Sequence, residues 1–477
     1  MNEVLFARAN EILDKATYSA AVFSQYDQKS VDRIVENVYK AGFDNRVKLA
    51  KMAHEETGIG VWEHKVLKNT IGSLLVYESI KEEKTVGLIS HNEVTGISEI
   101  AQPLGPILAV TPVTNPTSTV LYKILICLKT RNPIIISPHR SSIKCCEEAV
   151  RICYEAAINA DAPDDCIQIL SGGSREVTNM LMSSPKIALI IATGGTGLVK
   201  AAYSSGNPAI GVGPGNVPVF IDESADITYA IKSIISSKTF DNGTICSSEQ
   251  AIIVDKKINK AVKEEFERQS CYFLTPEEIK KVEAVAIIPD TSNMNPLIVG
   301  QSVKKIAEKA GISVPEGTKI LLAELTGIGK GYPLSNEILA PILAFYDAED
   351  TNTAIKLCID LNYLNGIGHS ACIYANDEKR IMDFSLLMNA GRIVVNTPTS
   401  QGAVGGTYNL LPPSLTLGCG TGGKNITTEN ITAKHLINIQ RVCRRRMNEK
   451  WFNTNPSILF DEKIDAQTFS KEYNKNF

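Results

Sequence analysis

Nothing in the 477 residues is long and apolar enough to span a bilayer. Nor is there a surplus of charge of either sign. The formal net charge is −3, which offers nucleic acid or an anionic membrane no electrostatic handle. Metal chemistry lacks its usual spacing: the six histidines are scattered, and no Cys/His cluster matches a zinc site. A disulfide framework is missing too. The eleven cysteines are odd in number and irregularly spaced, and Cys145 and Cys146 are adjacent. Cys127, Cys153, Cys358 and Cys372 sit in apolar runs as small core residues, a usage that fits a reducing cytoplasm. The first residues, MNEVLFARANEILDKA, carry early acids and no small-residue cleavage site, so they do not read as a secretory leader. They read as a short amphipathic helix (Val4, Leu5, Ile12, Leu13), either capping the fold or serving as a docking or encapsulation peptide. What remains is an ordinary soluble mixture, 44% hydrophobic and 21% charged, long enough for two or three domains.

Against that background residues 240–250, FDNGTICSSEQ, stand out. Cys246 has small and polar neighbours (Asn242, Gly243, Thr244, Ser247, Ser248), where a core cysteine has aliphatic ones. Small neighbours give a second molecule access to the sulfur, and backbone N–H groups beside it can hold an oxyanion. The strand AIIV at 251–254 follows directly, a rigid support. A buried structural thiol is the other reading of the same stretch.

Residues 1–85 read as helical, with one amphipathic run over 30–53, and TVGLIS and ISEIAQ as a hairpin at about 84–101. Short apolar strands then alternate with helices: strands at 106–111, 133–137, 166–170 and 188–192, helices between them and from about 197. That alternation predicts a doubly wound α/β fold with a parallel sheet, whose ligands bind at the carboxyl ends of the strands. Three loops lie at those ends: 111–117 (TPVTNPT), 137–140 (SPHR) and 193–197 (TGGTG), the last opening a helix. A glycine-rich turn at a helix N-terminus suits phosphate. It lacks the full G-x-G-x-x-G, yet three such loops on one edge favour a dinucleotide. Residues 211–216 (GVGPGN) read as a rigid loop facing the cleft. A second, smaller parallel sheet is expected from strands at 251–255, 284–289, 319–325 and 341–346, then ACIYA and RIVVN, with helices at 257–268, 297–310 and 351–361. Glu337 (SNEILAP) and His369 (GIGHS) fall between these elements. Cys419, in LGCGTGG, is a rival nucleophile without an obvious oxyanion partner, and RVCRRR at 441–446 reads as a short basic, solvated helix.

The stretches TNPTSTVLYKILICLKTRNPIIISPH, LIIATGGTGLVKAAYSSGNPAIGVGPGN, KTFDNGTICSSEQ, GIGHS and PSLTLGCG, in this order, resemble the aldehyde dehydrogenase superfamily. Within it they are most similar to the CoA-acylating branch, as found in one half of bifunctional aldehyde–alcohol dehydrogenases. The resemblance covers nearly the whole chain. It implies a Rossmann-type cofactor domain over 1–238 that carries a small oligomerisation hairpin, a catalytic α/β domain over 239–425, and a C-terminal segment over 426–477 packing back on the body. KHLINIQRVCRRRMNEKWF looks like the start of a connector, which implies a standalone enzyme or an excised half.

The resemblance also assigns roles. Cys246 matches the nucleophile, and Asn115 the amide that stabilises the oxyanion with a backbone N–H. Thr193, Gly194, Gly195 and Gly197 match the loop at the pyrophosphate. Ser137 and His139 match the loop at the adenosine ribose, and Thr111 and Gly211 lie on the same cofactor side. Glu337 matches the carboxylate on the nicotinamide ribose, and His369 a histidine near the nucleophile. For His369 a packing role, for Glu337 a cap or ion pair, and for His139 a turn are the alternatives. One departure matters most. Hydrolytic members have a water-activating glutamate in E-L-G-G, where this chain has Gly211-Val212-Gly213. General-base help is worth ~10²–10⁴-fold, so a thioester on Cys246 should resist water and yield to a thiolate. The expected reaction is reversible oxidation of a short-chain aldehyde with NAD and CoA to acyl-CoA and NADH, without a metal. Acetaldehyde is the default, and propionaldehyde, butyraldehyde, succinate semialdehyde and sulfoacetaldehyde are alternatives. A hydrolytic enzyme using another base and a non-catalytic shell-associated protein are the rival readings. NADP is also admissible, since Arg140 and Lys144 follow His139 and no acid follows it closely. A homodimer or larger homo-oligomer is expected, in the cytoplasm or inside a bacterial microcompartment.

Overall fold

The computed structural model describes residues 2–172, 175–289, 291 and 293–475, with side chains from Leu5 onward, so Val4 lies outside the described side chains. The chain divides into a larger unit, 1–83 with 103–437, and a smaller one, 84–102 with 438–477.

The larger unit holds two parallel sheets. The first runs Ile167–Ile169, Ile134–Ser137, Ile107–Val110, Leu189–Thr193, Ala209–Val212. Its central strands are continuously apolar and fully buried, as a sheet covered on both faces requires. The second has seven strands in the order Cys271–Phe273, Ile320–Glu324, Ile342–Ala348, Glu249–Asp255, Val217–Ile221, Gly368–Tyr374, Ala390–Val395. Both sheets follow the expected doubly wound α/β plan. The helix Pro116–Lys129 is buried on every side, so its sequence shows no polar stripe.

Several expectations are corrected. Gly211 and Val212 are not in a loop: they pair with Ala192 and Thr193 as the last strand of the first sheet. A Gly-Val pair among glycines and prolines has little strand propensity, and pairing overrides it. Val217–Ile221 sits inside the second sheet, so the sheets part before residue 217 rather than at 238. Residues 284–289 are not a strand: the helix Pro276–Ala286 takes the first three, and Ile287 makes only an isolated antiparallel bridge to Met294. The start of that helix is a capping box, Thr275 with Glu278, which outweighs the apolar AVAII run. The single helix over 30–53 is two, Gln28–Asp44 and Arg46–Thr57, broken at Asn45. The helix at 297–310 is a short turn followed by Val303–Ala310, capped by Ser302.

In the smaller unit the hairpin Gly87–Asn92 with Ile97–Pro103 forms as expected, and Ile437–Cys443 is its third strand. The first half of RVCRRR is therefore strand and the second half is irregular, and none of it is helix. Sheet pairing sets the conformation of that first half, and Arg441 on the exposed strand discourages further pairing. The tail beyond has helices Glu449–Asn453 and Ala466–Lys475, neither of which buries a residue.

Candidate active site

Cys246 follows a run of left-handed residues, Asp241 (φ 51°), Asn242 (φ 54°) and Gly243 (φ 74°). Two non-glycine residues there mark local strain, which the surroundings must hold. Asn242 Nδ2 donates to the Gly300 carbonyl at 2.9 Å, and Ser247 Oγ to the Ser400 carbonyl at 3.1 Å. Of the eleven cysteines nine are buried and Cys443 is exposed; Cys246 alone is half-buried. Burial pushes its thiol up to about 12; Glu337 adds to that and the Arg392 cation opposes it. The rival Cys419 is buried, with its thiol donating to the Leu417 carbonyl.

Three of the predicted residues meet around Gly215. Its N–H donates to Glu337 Oε1 at 2.8 Å. A Cβ on Gly215 would lie 2.2 Å from the Cys246 carbonyl oxygen and 3.0 Å from His369 Cγ. Only glycine lets the three loops approach so closely. Burial raises the Glu337 carboxyl to about 7, against the Gly215 N–H and Lys238. His369 is buried, its Nδ1 is 3.0 Å from Ser370 Oγ, and its Nε2 has no protein partner among the described residues. Burial, then Arg392, hold its pKa down at about 3, so the imidazole is neutral at working pH.

Asn115 occupies the N-cap position of Pro116–Lys129, yet its side chain does not cap the helix. Its Oδ1 accepts from Lys68 Nζ at 2.5 Å and its Nδ2 donates to Thr114 Oγ1 at 3.2 Å. Lys68 also donates to Asp241 and, at 2.8 Å, contacts Thr244 Oγ1, which ties Asn115 to the loop of Cys246.

The remaining predicted residues line the carboxyl ends of the first sheet. Thr111 N–H donates to the Ser137 carbonyl at 3.1 Å, while Thr111 Oγ1 is buried with no partner among the described residues. Ser137 Oγ lies 3.2 Å from Thr178 Oγ1. His139 Nδ1 accepts from Ser141 N–H at 3.2 Å, the turn role set out as its alternative. Burial, then Arg140, lower its pKa. Thr193 ends its strand, and Gly195 is the N-cap of Thr196–Tyr203. Cβ atoms on Gly195 and Gly197 would meet nothing within 4 Å, whereas one on Gly194 would strike Leu198. The helix N-terminus thus opens onto space suited to a pyrophosphate. Gly211 faces no such opening. Tyr203 Oη bonds both its N–H and its carbonyl at 3.0 Å, Asn425 Nδ2 also donates to the carbonyl, and Val199 and Tyr203 fill the space of a side chain.

Sequence reasoning missed the buried cations. Arg392 donates to the His369 and Gly418 carbonyls, both at 2.6 Å, and to Thr428 and Asn430. Lys123 donates to the Val110 and Ile191 carbonyls at the ends of adjacent strands, and burial takes it down to about 7. Lys238 donates to Gln250 Oε1 and the Ile338 carbonyl. Their signal was a charge inside an otherwise apolar element. Among the described residues no cluster of His, Cys, Asp and Glu could hold a metal, and no helix is long and apolar enough to cross a membrane.

The geometry has clear relatives. An aldehyde-alcohol dehydrogenase of Clostridium acetobutylicum is 48% identical over 442 residues, 92% of this chain and 51% of that protein. The chain spans about half the length of such curated relatives. The crystal structure of an acetylating aldehyde dehydrogenase from Geobacillus thermoglucosidasius superposes with a TM-score of 0.90 at 47% identity, covering 93% of this chain and 98% of that one. A propionaldehyde dehydrogenase of Rhodopseudomonas palustris, solved with bound CoA and an acylated cysteine, gives 0.81 at 26% identity over 91% and 97%. The pattern of the family described as "Aldehyde dehydrogenase family" matches residues 6–408, and the chain belongs to that family.

Proposed function

We propose that this chain oxidises a short-chain aldehyde to its CoA thioester, with NAD as hydride acceptor, and that acetaldehyde is the substrate. The observation that carries the reading is the convergence on Gly215 of a half-buried Cys246, Glu337 and His369, beside a 211–213 segment with no carboxylate. Residues 1–216 would then form the cofactor-binding part, and the second sheet, from 217, the catalytic part.

The Cys246 thiolate adds to the aldehyde carbon, and the Asn115 Nδ2 N–H, with a backbone N–H at Cys246, takes the negative oxygen. The residues present suit a nicotinamide dinucleotide. The open helix N-terminus at Gly195 and Gly197 would take the pyrophosphate, the unpartnered Thr111 hydroxyl and Ser137 the adenosine side, and Glu337 the nicotinamide ribose. When bound, that group accepts the hydride and so leaves a thioester on Cys246. The CoA sulfur then displaces Cys246 sulfur and carries off the acyl group. In sum, aldehyde, NAD⁺ and CoA give acyl-CoA, NADH and one proton. Neutral His369 offers its free Nε2 as a hydrogen-bond acceptor to the incoming thiol rather than as a strong base. The Arg392 cation steadies the Cys246 thiolate when it attacks and when it leaves. The 211–213 segment gives water no carboxylate base. The space at Gly211 is filled by Tyr203 and Val199, and Val212 is apolar and buried.

The reading extends to a cytoplasmic enzyme, free or encapsulated, that assembles as a homo-oligomer. The test follows NADH formation with acetaldehyde, with and without CoA, in wild type and Cys246→Ala. CoA-dependent turnover that the variant loses is the expected result. Free acetate formed without CoA overturns the acylating reading. Activity only with succinate semialdehyde or sulfoacetaldehyde keeps the chemistry and changes the substrate.

A further inference from the structure

Beneath the cleft lies a charge cluster that the chemistry above does not use. Asp241 is fully buried and its carboxylate takes four donors: the Val61 N–H at 2.7 Å, Lys65 Nζ at 2.9 Å, Thr244 Oγ1 at 2.8 Å, and Lys68 Nζ. Lys65 and Lys68 are 2% and 1% exposed, so two ammonium groups share one carboxylate in the interior. Desolvating three charges is costly, and apolar residues of similar volume would hold these elements together as well. The chain even keeps Gly60 where a Cβ would fall 1.9 Å from Asp241 Oδ1, so backbone is shaped to admit the carboxylate.

The cluster is not closed on itself. Lys65 reaches the Thr114 carbonyl at 3.4 Å, and Lys68 reaches Asn115 Oδ1 at 2.5 Å. An ammonium only donates, so the atom of the Asn115 amide that faces Lys68 must be oxygen. That settles which way the amide is turned. Nδ2 points away from Lys68; one of its hydrogens goes to Thr114 Oγ1 and the second is left for the cleft. Without the ammonium, either end of the amide could face inward. An amide turned over would present a carbonyl oxygen to a developing oxyanion and repel it.

We propose that Lys68, held by Asp241, is a positioning residue for aldehyde addition: it locks the Asn115 amide with its N–H toward the oxyanion. Because Asp241 opens the strained turn at 241–243, three residues before Cys246, one buried ion pair bears on both the nucleophile loop and the oxyanion donor. The inference rests on Asn115 acting as that donor.

The test is a double-mutant cycle in the full-length protein, reading kcat and KM for acetaldehyde, with NAD binding followed by fluorescence titration. Loss of one oxyanion donor typically costs about 10²–10³ in kcat. Lys68→Met is expected to approach that loss with NAD affinity unchanged. Lys65 still pairs with Asp241 in the variant, which favours folding. Lys68→Met/Asn115→Ala is expected to be no slower than Asn115→Ala alone, since both changes remove the same donor. Lys68→Arg, still a donor-only cation, should recover activity to within about tenfold of wild type. Should Lys68→Met not fold, Lys68→Gln replaces it: it fills the site but both donates and accepts, so the same loss is expected. Multiplicative losses in the double variant overturn the proposal, and so does a fully active Lys68→Met or Lys68→Gln beside a dead Asn115→Ala. An active Asn115→Ala would instead sink the oxyanion role itself, and this inference with it.

Discussion

At the scale of single residues the site is governed by desolvation. Cys246, Glu337 and His369 each have the pKa shift that favours the neutral form, and burial is the largest cause in all three. With the thiol at about 12, only a small fraction is thiolate at neutral pH. Iodoacetamide labelling of Cys246, followed by mass spectrometry of its peptide, should therefore keep rising about tenfold per pH unit from pH 8 to 10. A plateau near pH 9 would show an ordinary thiol. Glu337 titrates at about 7 in the folded chain and at ~4.3 when unfolded. The folded state thus holds its proton more tightly, and stability drains away as pH climbs from about 4.5 through 7. Glu337→Gln, which cannot ionise, should gain more in Tm over wild type at pH 8 than at pH 5. The same titration supplies a better acceptor for a ribose hydroxyl. KM for NAD should fall as pH rises through 7 in wild type and stay flat in the variant. An equal Tm difference at both pH values would contradict the assignment.

Loops anchored on strand ends, more than the strands, decide whether the groups meet. Within one short segment two glycines have opposite meanings. Gly215 has no room for a methyl, with the Cys246 carbonyl 2.2 Å from the would-be Cβ, whereas Gly213 has nothing within 4 Å. Gly215→Ala should lower both Tm and kcat severely, the latter by ~10² or more, since an ångström of misplacement at the reacting centre costs about that much. Gly213→Ala should melt within a few degrees of wild type. Equal behaviour of the pair, measured by thermal melts and steady-state rates, would refute the contrast. The parallel strands were legible as short apolar runs, and Cys246 as a cysteine in the wrong company. The strand through Gly211 was not, because its residues pair against their own propensity. Nor was the helix Pro276–Ala286, whose last turn falls in an apolar run that reads as a strand. Lys65 and Lys68 were invisible for a different reason: in WEHKVLKNT they look like the solvated face of a helix. Only the distant Asp241, brought in by the fold, turns them inward.

The two units of the molecule differ in how they are built. The larger has extensive buried cores on its sheets. The smaller leaves Trp451 51%, Phe452 63% and Phe460 82% exposed, and neither tail helix buries a side chain. Large exposed aromatics of this kind mark surfaces that become covered. If the proposed homo-oligomer forms through these aromatics, Trp451→Ser with Phe460→Ser should shift the protein toward smaller species in sedimentation velocity. An unchanged distribution would refute their role in assembly. The order of the seven strands has a further consequence, for the protein's birth on the ribosome. Val217–Ile221 lies between Glu249–Asp255 and Gly368–Tyr374, so a strand made early waits for one made about 150 residues later. At ~5–20 residues per second that is a wait of about 7–30 seconds. Throughout it an apolar edge stands open, and the Gly215 backbone that abuts the Cys246 carbonyl lacks its His369 neighbour. A nascent chain stalled near residue 360 should therefore be sticky and bind chaperones. Cys246 acquires these surroundings only when nearly all of the larger unit has left the tunnel.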